Sequence, residues 1–180
     1  MTRWLIITTM LAGTAAVAFG SVATVPVRLI WNSSASVPVG LYTITPAEPF
    51  ALSDLVAVRA PQLIERFMVA RGSIAAGVPL LKHVRALPGQ TVCRAGGIIT
   101  VDGTRLGEAL ARDRHGRDLP SWQGCRKLAQ GEIFLMNVPP DSFDGRYFGP
   151  FPTRSVIGRA TPLWTDEDGD GHFRWRASAR

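Results

Sequence analysis

The feature that most limits what this chain can fold into is a run without a single charge, from Trp4 to Val27, containing Leu5, Ile6, Ile7, Met10, Leu11, Val17, Phe19 and Val22. At a helical rise of about 1.5 Å per residue, such a run is long enough to cross a hydrocarbon core about 30 Å thick. A cleaved leader has a shorter apolar part, about 7 to 15 residues. We therefore expect one N-terminal transmembrane helix, a membrane anchor over residues 1–28, with Ala15-Ala16-Val17-Ala18 as the place where cleavage would fall if the segment were removed. Arg3 and the amino terminus, weighed against Arg28, set the short N-terminus on the cytoplasmic side. Ser36 follows Arg28 by only eight residues. An extended chain covers at most about 3.6 Å per residue, so any chemistry of this serine takes place close to the lipid.

With 180 residues there is room for one domain with a core and a small inserted lobe, but not for two large unrelated domains. The 13 prolines and 18 glycines mark frequent turns between short strands, so the expected fold class is mainly β. Gly40 to Ile44 and Leu52 to Arg59 read as strands broken apart by Pro46 and Pro49. Pro61 opens a helix with Leu63, Ile64, Phe67 and Met68 on one face and Gly72 as its stop. Val78 to Val84 is the next strand, and Ile98 to Val101 with Thr104 to Leu106 forms a hairpin around Asp102-Gly103. The polar stretch Glu108 to Gln130 reads as a lobe or long loop. Ile133 to Met136 is a buried strand, Pro139 to Arg146 a turn-rich loop and Ser155 to Ala160 a closing strand. The main domain is then 29–165, with a small lobe at 93–130 and a peripheral tail at 166–180.

The formal charge of +6 comes from singly scattered arginines, with no basic run, recognition-helix pattern or aromatic RNA-binding signature. This argues against a nucleic-acid partner and for anionic lipid headgroups. Cys93 and Cys125 are the only cysteines. In a domain outside the cytoplasm a disulfide between them is the natural reading, contributing about 3 to 4 kcal/mol in the chain-entropy model. Two buried free thiols are the alternative.

A serine hydroxyl is a poor nucleophile until a base takes its proton. Of the 20 cationic side chains only Lys82 and Lys127 are lysines. Arginine stays protonated at any workable pH, whereas a lysine in apolar surroundings loses proton affinity and can serve as that base. Lys82 sits among Pro79, Leu80, Leu81 and Val84, while Lys127 lies beside Arg126 in a polar stretch. Taken singly, Ser36 is an ordinary turn residue and Lys82 an ordinary snorkelling lysine. Taken together, with the loop from Ser142 to Arg146 behind them, they read as a nucleophile and its base. A Ser36, His83, Asp144 triad is the competing arrangement, but alternation along a strand points His83 away from the face that carries Lys82.

At these residues the sequence resembles the signal peptidase clan, and most closely its TraF-type branch, the conjugative-transfer peptidases. Three blocks carry the resemblance: Ser34-Ala35-Ser36-Val37-Pro38-Val39-Gly40-Leu41-Tyr42, Leu80-Leu81-Lys82-His83-Val84-Arg85-Ala86-Leu87-Pro88-Gly89, and Asp141-Ser142-Phe143-Asp144-Gly145-Arg146-Tyr147-Phe148-Gly149. Pro120-Ser121-Trp122-Gln123-Gly124-Cys125 also looks like that branch. The resemblance implies a signal-peptidase-like β domain in which Ser36 is the nucleophile and Lys82 its general base. The Ser34 hydroxyl and the Ser36 backbone N–H would form an oxyanion hole, where one donor is typically worth about 3 to 4 kcal/mol. Ser142 would hold the Lys82 amine, and Asp144, the aspartate that TraF-type enzymes need, would brace the loop with Arg146. Pro38 lies two residues after Ser36, where general signal peptidases have three, and this supports the conjugative branch. Gly145 stands where many relatives have a second serine.

The resemblance further implies a single-pass inner-membrane serine endopeptidase with its catalytic domain in the periplasm. It would act on an exported pilin-like precursor and resolve the acyl-enzyme with water or by head-to-tail closure. This chemistry calls for no cofactor and no metal. A non-catalytic periplasmic scaffold of the conjugation apparatus and general signal-peptide removal are the competing functions. Two weaker signals remain. Asp166-Glu167-Asp168-Gly169-Asp170-Gly171 matches half of a calcium loop, but Ala177 replaces the bidentate glutamate, so a solvated acidic turn is expected. Phe173-Arg174-Trp175-Arg176 fits either lipid headgroups or a fraying end, and fraying is expected.

Overall fold

The computed structural model describes residues 2–22 and 27–176. Residues 1 and 23–26 of the expected anchor, and the last four tail residues, Ala177 among them, lie outside the described residues.

Helix α1 (Thr2–Val22) forms as the apolar run suggests, and every described side chain from Arg3 to Phe19 is exposed. Thr8, Thr9 and Thr14 turn their hydroxyls back onto carbonyls three or four residues earlier, so the helix satisfies its own polar side chains. The expected transmembrane helix is not supported: among the described residues no helix is long and apolar enough to cross a membrane. A crossing takes about 20 apolar residues. The uncharged run in the sequence reaches that length only through residues beyond Phe19, and the described side chains of the helix begin at charged Arg3.

The rest is mainly β. Strands β1 (Leu29–Asn32), β2 (Val39–Thr45), β3 (Leu55–Val58) and β4 (Leu80–Ala86) come first, with helix α2 (Gln62–Ala70) between β3 and β4. Then follow β5 (Thr91–Ala95), β6 (Ile98–Val101), β7 (Thr104–Glu108), β8 (Gly124–Lys127), β9 (Glu132–Leu135), the short helix α3 (Gly145–Phe148), β10 (Phe151–Pro152), β11 (Val156–Asp166) and β12 (Arg174–Trp175). One sheet runs β1-β2-β11-β3-β4-β9-β10, all pairs antiparallel, with β12 also on β11; a second runs β7-β6-β5-β8. Strand β3 is buried at every position, which explains its continuous apolar run, and β4 at six of its seven, burying Lys82 and His83 along with its apolar residues. Burying each such Val or Leu side chain is worth about 1.5 to 3 kcal/mol. A cluster of Ala86, Val92, Ile99, Val101, Leu128, Phe134 and Met136 joins the second sheet to β4 and β9.

Two expectations change in detail. Leu63, assigned to the buried face of α2, is 79% exposed, while Met68 is fully buried and Ile64 and Phe67 pack partly against it. Pro61 is the N-cap rather than part of the first turn, and Leu63 falls at the margin of the stripe formed by Ile64, Phe67 and Met68. The tail does not fray through its described part. Trp175 and Arg174 pair with Trp164 and Thr165 of β11, and Phe173 stacks on Trp31 at 6.0 Å and lies 4.7 Å from Trp164.

Candidate active site

Residues 33–38 connect β1 to β2 and carry Ser34 and Ser36. The loop is built around Asn32, the buried last residue of β1. Its amide nitrogen donates to the carbonyls of Ser34, Pro38 and Val37 at 2.8, 3.0 and 3.1 Å, and its Oδ1 accepts from the backbone N–H and the hydroxyl of Ser34. Tyr42, whose hydroxyl burial holds firmly protonated, donates to the Pro38 carbonyl at 2.6 Å from the other side. Next to the loop, Gly40 (φ +146°) crosses β11 so closely that a Cβ would lie 2.2 Å from the Trp164 carbonyl oxygen. Ser34 Oγ and Ser36 Oγ are 3.1 Å apart. Because Ser34 gives its proton to Asn32, Ser36 donates to Ser34 in this resting arrangement, and Ser34 must let go of Asn32 before it can serve an oxyanion.

Lys82 lies in the middle of β4, opposite Val56 of β3, and is 4% exposed. Its Nζ donates to Ser142 Oγ at 2.5 Å. Burial pushes the amine down from its ordinary range to about 8, with Asp144 pulling upward and Arg146 pushing further down. A neutral amine has two N–H donors and one lone pair, so the bond to Ser142 leaves the lone pair available to accept a proton.

Behind Lys82, the loop from Ser142 to Arg146 is locked from within. Asp144 caps α3 by accepting from the Arg146 N–H, and its carboxylate also accepts from Arg146 Nε at 2.9 Å and from the Asn137 N–H at 3.0 Å. Arg146 is 1% exposed and Asp144 fully buried. The guanidinium also donates to the Glu108 and Asn137 carbonyls, so this buried pair is fully hydrogen-bonded. Gly145 answers the question raised by its position: a Cβ there would sit 2.6 Å from the Phe134 ring and 2.8 Å from the Leu135 carbonyl, leaving no space for a serine. The second sheet and the loop before β8 grip the same helix, Arg94 of β5 donating to the Arg146 carbonyl at 2.6 Å and Trp122 of the loop donating to the Gly145 carbonyl at 3.1 Å. Beside Arg94, Cys93 and Cys125 are joined in a disulfide across β5 and β8.

The structure thus brings Lys82, Ser142, Asp144 and Arg146 into one constellation and Ser34 with Ser36 into another. Among the described residues no hydrogen bond joins Ser36 to Lys82. The residues beside them, Val37 and Leu81, belong to one buried cluster with Ile30, Tyr42 and Leu55. The Nδ1 of His83 lies 3.2 Å from Asn137 Oδ1. Asn32 and Asn137 were not singled out from sequence. An asparagine just before Ser-rich turn residues was a usable signal for Asn32; nothing in the local pattern marked Asn137. Among the described residues no group of three or more His, Cys, Asp or Glu is placed to hold a metal. In the acidic turn, Asp166 spends its carboxylate on the N–H groups of Gly169, Asp170 and Gly171.

Residues 1–164 match the family model described as signal peptidase, peptidase S26. The chain belongs to this family. Among the S26 signal peptidases it is similar to a conjugal transfer protein TraF of Agrobacterium fabrum, 34% identical over 74% of this chain and 81% of the relative. It is also similar to a plasmid transfer protein TraF of Escherichia coli, 33% identical over 87% of this chain and 89% of the relative. A signal peptidase I from Enterococcus faecalis matches with 22% identity over 64% of this chain and 98% of that one; its TM-score of 0.40 leaves the assignment resting on the sequence relatives. The chain is a TraF-type, signal-peptidase-like protein of the S26 family.

Proposed function

We propose that this protein is a membrane-associated serine endopeptidase that processes an exported precursor through an acyl-enzyme on Ser36, with Lys82 as general base. The observation that carries the reading is the Lys82 amine, buried in β4 and bonded to Ser142 Oγ at 2.5 Å. Ser36 rotates from Ser34 toward Lys82, which takes its proton as Oγ attacks the scissile carbonyl. The backbone N–H of Ser36 and the hydroxyl of Ser34 receive the oxyanion. Lys82 then returns the proton to the leaving amine, and a second nucleophile, water or the peptide's own amino terminus, takes the acyl group. Asp144 and Arg146 keep Ser142 in place and do not touch substrate.

The similarity to transfer proteins named TraF favours a conjugative pilin precursor as substrate. The exposed apolar side chains of α1, from Trp4 to Phe19, favour lipid as a second partner. The catalytic domain then works at the periplasmic face of the inner membrane, where an exported precursor emerges. A processing assay on Ser36→Ala, Lys82→Ala and His83→Ala tests the reading. The first two abolish cleavage in folded protein and the third does not. Intact processing in Ser36→Ala and Lys82→Ala would make the protein a scaffold, and loss confined to Ser36→Ala and His83→Ala would restore the triad.

A further inference from the structure

Strand β9 stops at Leu135, too early to cover the edge of β4 around the lysine. The last backbone bond between the two segments runs from the Met136 N–H to the His83 carbonyl. One step further along, the His83 N–H and the Leu81 carbonyl point toward the side that β9 has left. The side chain of Asn137 meets both. Its Oδ1 accepts from the His83 N–H and its Nδ2 donates to the Leu81 carbonyl, each at 3.0 Å. A primary amide thereby replaces one peptide unit of the missing strand, spanning the residues on either side of Lys82. The main chain of the same residue faces the other way, its N–H donating to Asp144 and its carbonyl accepting from Arg146. Asn137 is 1% exposed.

We propose that Asn137 is a positioning residue for the proton transfer, a bridge that fixes the β4 backbone at Lys82 against the loop carrying Ser142. Lys82 Nζ and Ser142 Oγ sit on separate segments, and the 2.5 Å between them holds only if those segments cannot slide. Asn137 is joined to both. The inference rests on Lys82 being the base. The charged groups that act on that amine are Asp144, Arg146 and Asp141, all on the loop that Asn137 anchors, while β3 presents apolar Val56 opposite.

The test measures kcat, KM and the pH dependence of kcat for cleavage of a fluorogenic peptide with a small residue before the scissile bond. In Asn137→Ala, kcat falls about 10- to 100-fold, as expected for sub-ångström misplacement of a reacting group. KM stays within about twofold, because substrate binding is untouched. The acid limb moves upward as water reaches the amine. Asn137→Asp keeps the acceptor for the His83 N–H, loses the donor to Leu81 and adds a carboxylate near Lys82, so its acid limb moves further upward than that of Asn137→Ala. A purely structural role would lower the amount of active enzyme and leave the limb where it is. Folded variants with an unshifted limb would overturn the inference, as would failure of both variants to fold, which would assign Asn137 to stability alone. Cleavage retained in Ser36→Ala or Lys82→Ala would instead overturn the underlying reading of the base.

Discussion

Each of the two sheets holds one of the chain's two lysines, and the sheets treat them in opposite ways. Lys82 lies in an interior strand, paired with β3 on one edge and bridged by the Asn137 side chain on the other, with burial lowering its proton affinity and Ser142 fixing its nitrogen. Lys127 lies in β8, an edge strand of the smaller sheet in which all four residues are exposed. Both are lysines in strands, so neither residue type nor secondary structure buries an amine. What differs is cover: β3 on one edge of β4 and the Asn137 bridge on the other keep water from Lys82 and weaken the solvation that would keep an ammonium charged. The smaller sheet is instead held by a covalent staple and acts as a clamp on α3.

The comparison breaks most sharply on charge. Lys82→Arg keeps a cation of similar length that cannot give up its proton, and cleavage is expected to fall by about 10⁴-fold or more; appreciable turnover by this variant would show that no neutral amine is needed. Replacing both cysteines by alanine is expected to cost about 3 to 4 kcal/mol of stability in denaturant melts. The acid limb of the surviving enzyme should stay in place, separating the staple from the base.

The pH dependence comes next. The base must be neutral to act and its pKa is lowered to about 8, so activity rises with pH through that point and is lost below it. With a single titrating base, kcat/KM at two pH units below the limb should be about 100-fold lower than on the plateau. A flat profile from pH 6 to 9 would remove Lys82 from the chemistry. The smallest effect belongs to Lys127→Ala, which should change stability by less than about 0.5 kcal/mol and leave turnover unaltered.

Much of this site was legible in the chain. Lys82 stood out because it is one of two lysines and the only one in an apolar setting, and its neighbour His83 has Nδ1 3.2 Å from Asn137 Oδ1. The Asp144–Arg146 pair and Ser142 came with the family pattern; Asp144 pairs with Arg146, and Ser142 accepts from Lys82. Asn137 was not legible, because a side-chain amide standing in for a strand depends on where β9 happens to end. The tail misled for a related reason. Arg174 and Trp175 carry no strand pattern of their own, and their pairing with Thr165 and Trp164 is a long-range event. Leu63 lies at the margin of the stripe formed by Ile64, Phe67 and Met68, where spacing alone does not decide burial.

The central claim, that the buried amine of Lys82 activates Ser36, is tested most directly by trapping the intermediate. Wild-type protein mixed with an alanyl peptide ester, quenched in acid within milliseconds and digested, should yield a peptide with the acyl mass on Ser36. Lys82→Ala should yield none. Acylation of Ser36 at an undiminished rate in Lys82→Ala, or an adduct on another residue, would contradict it.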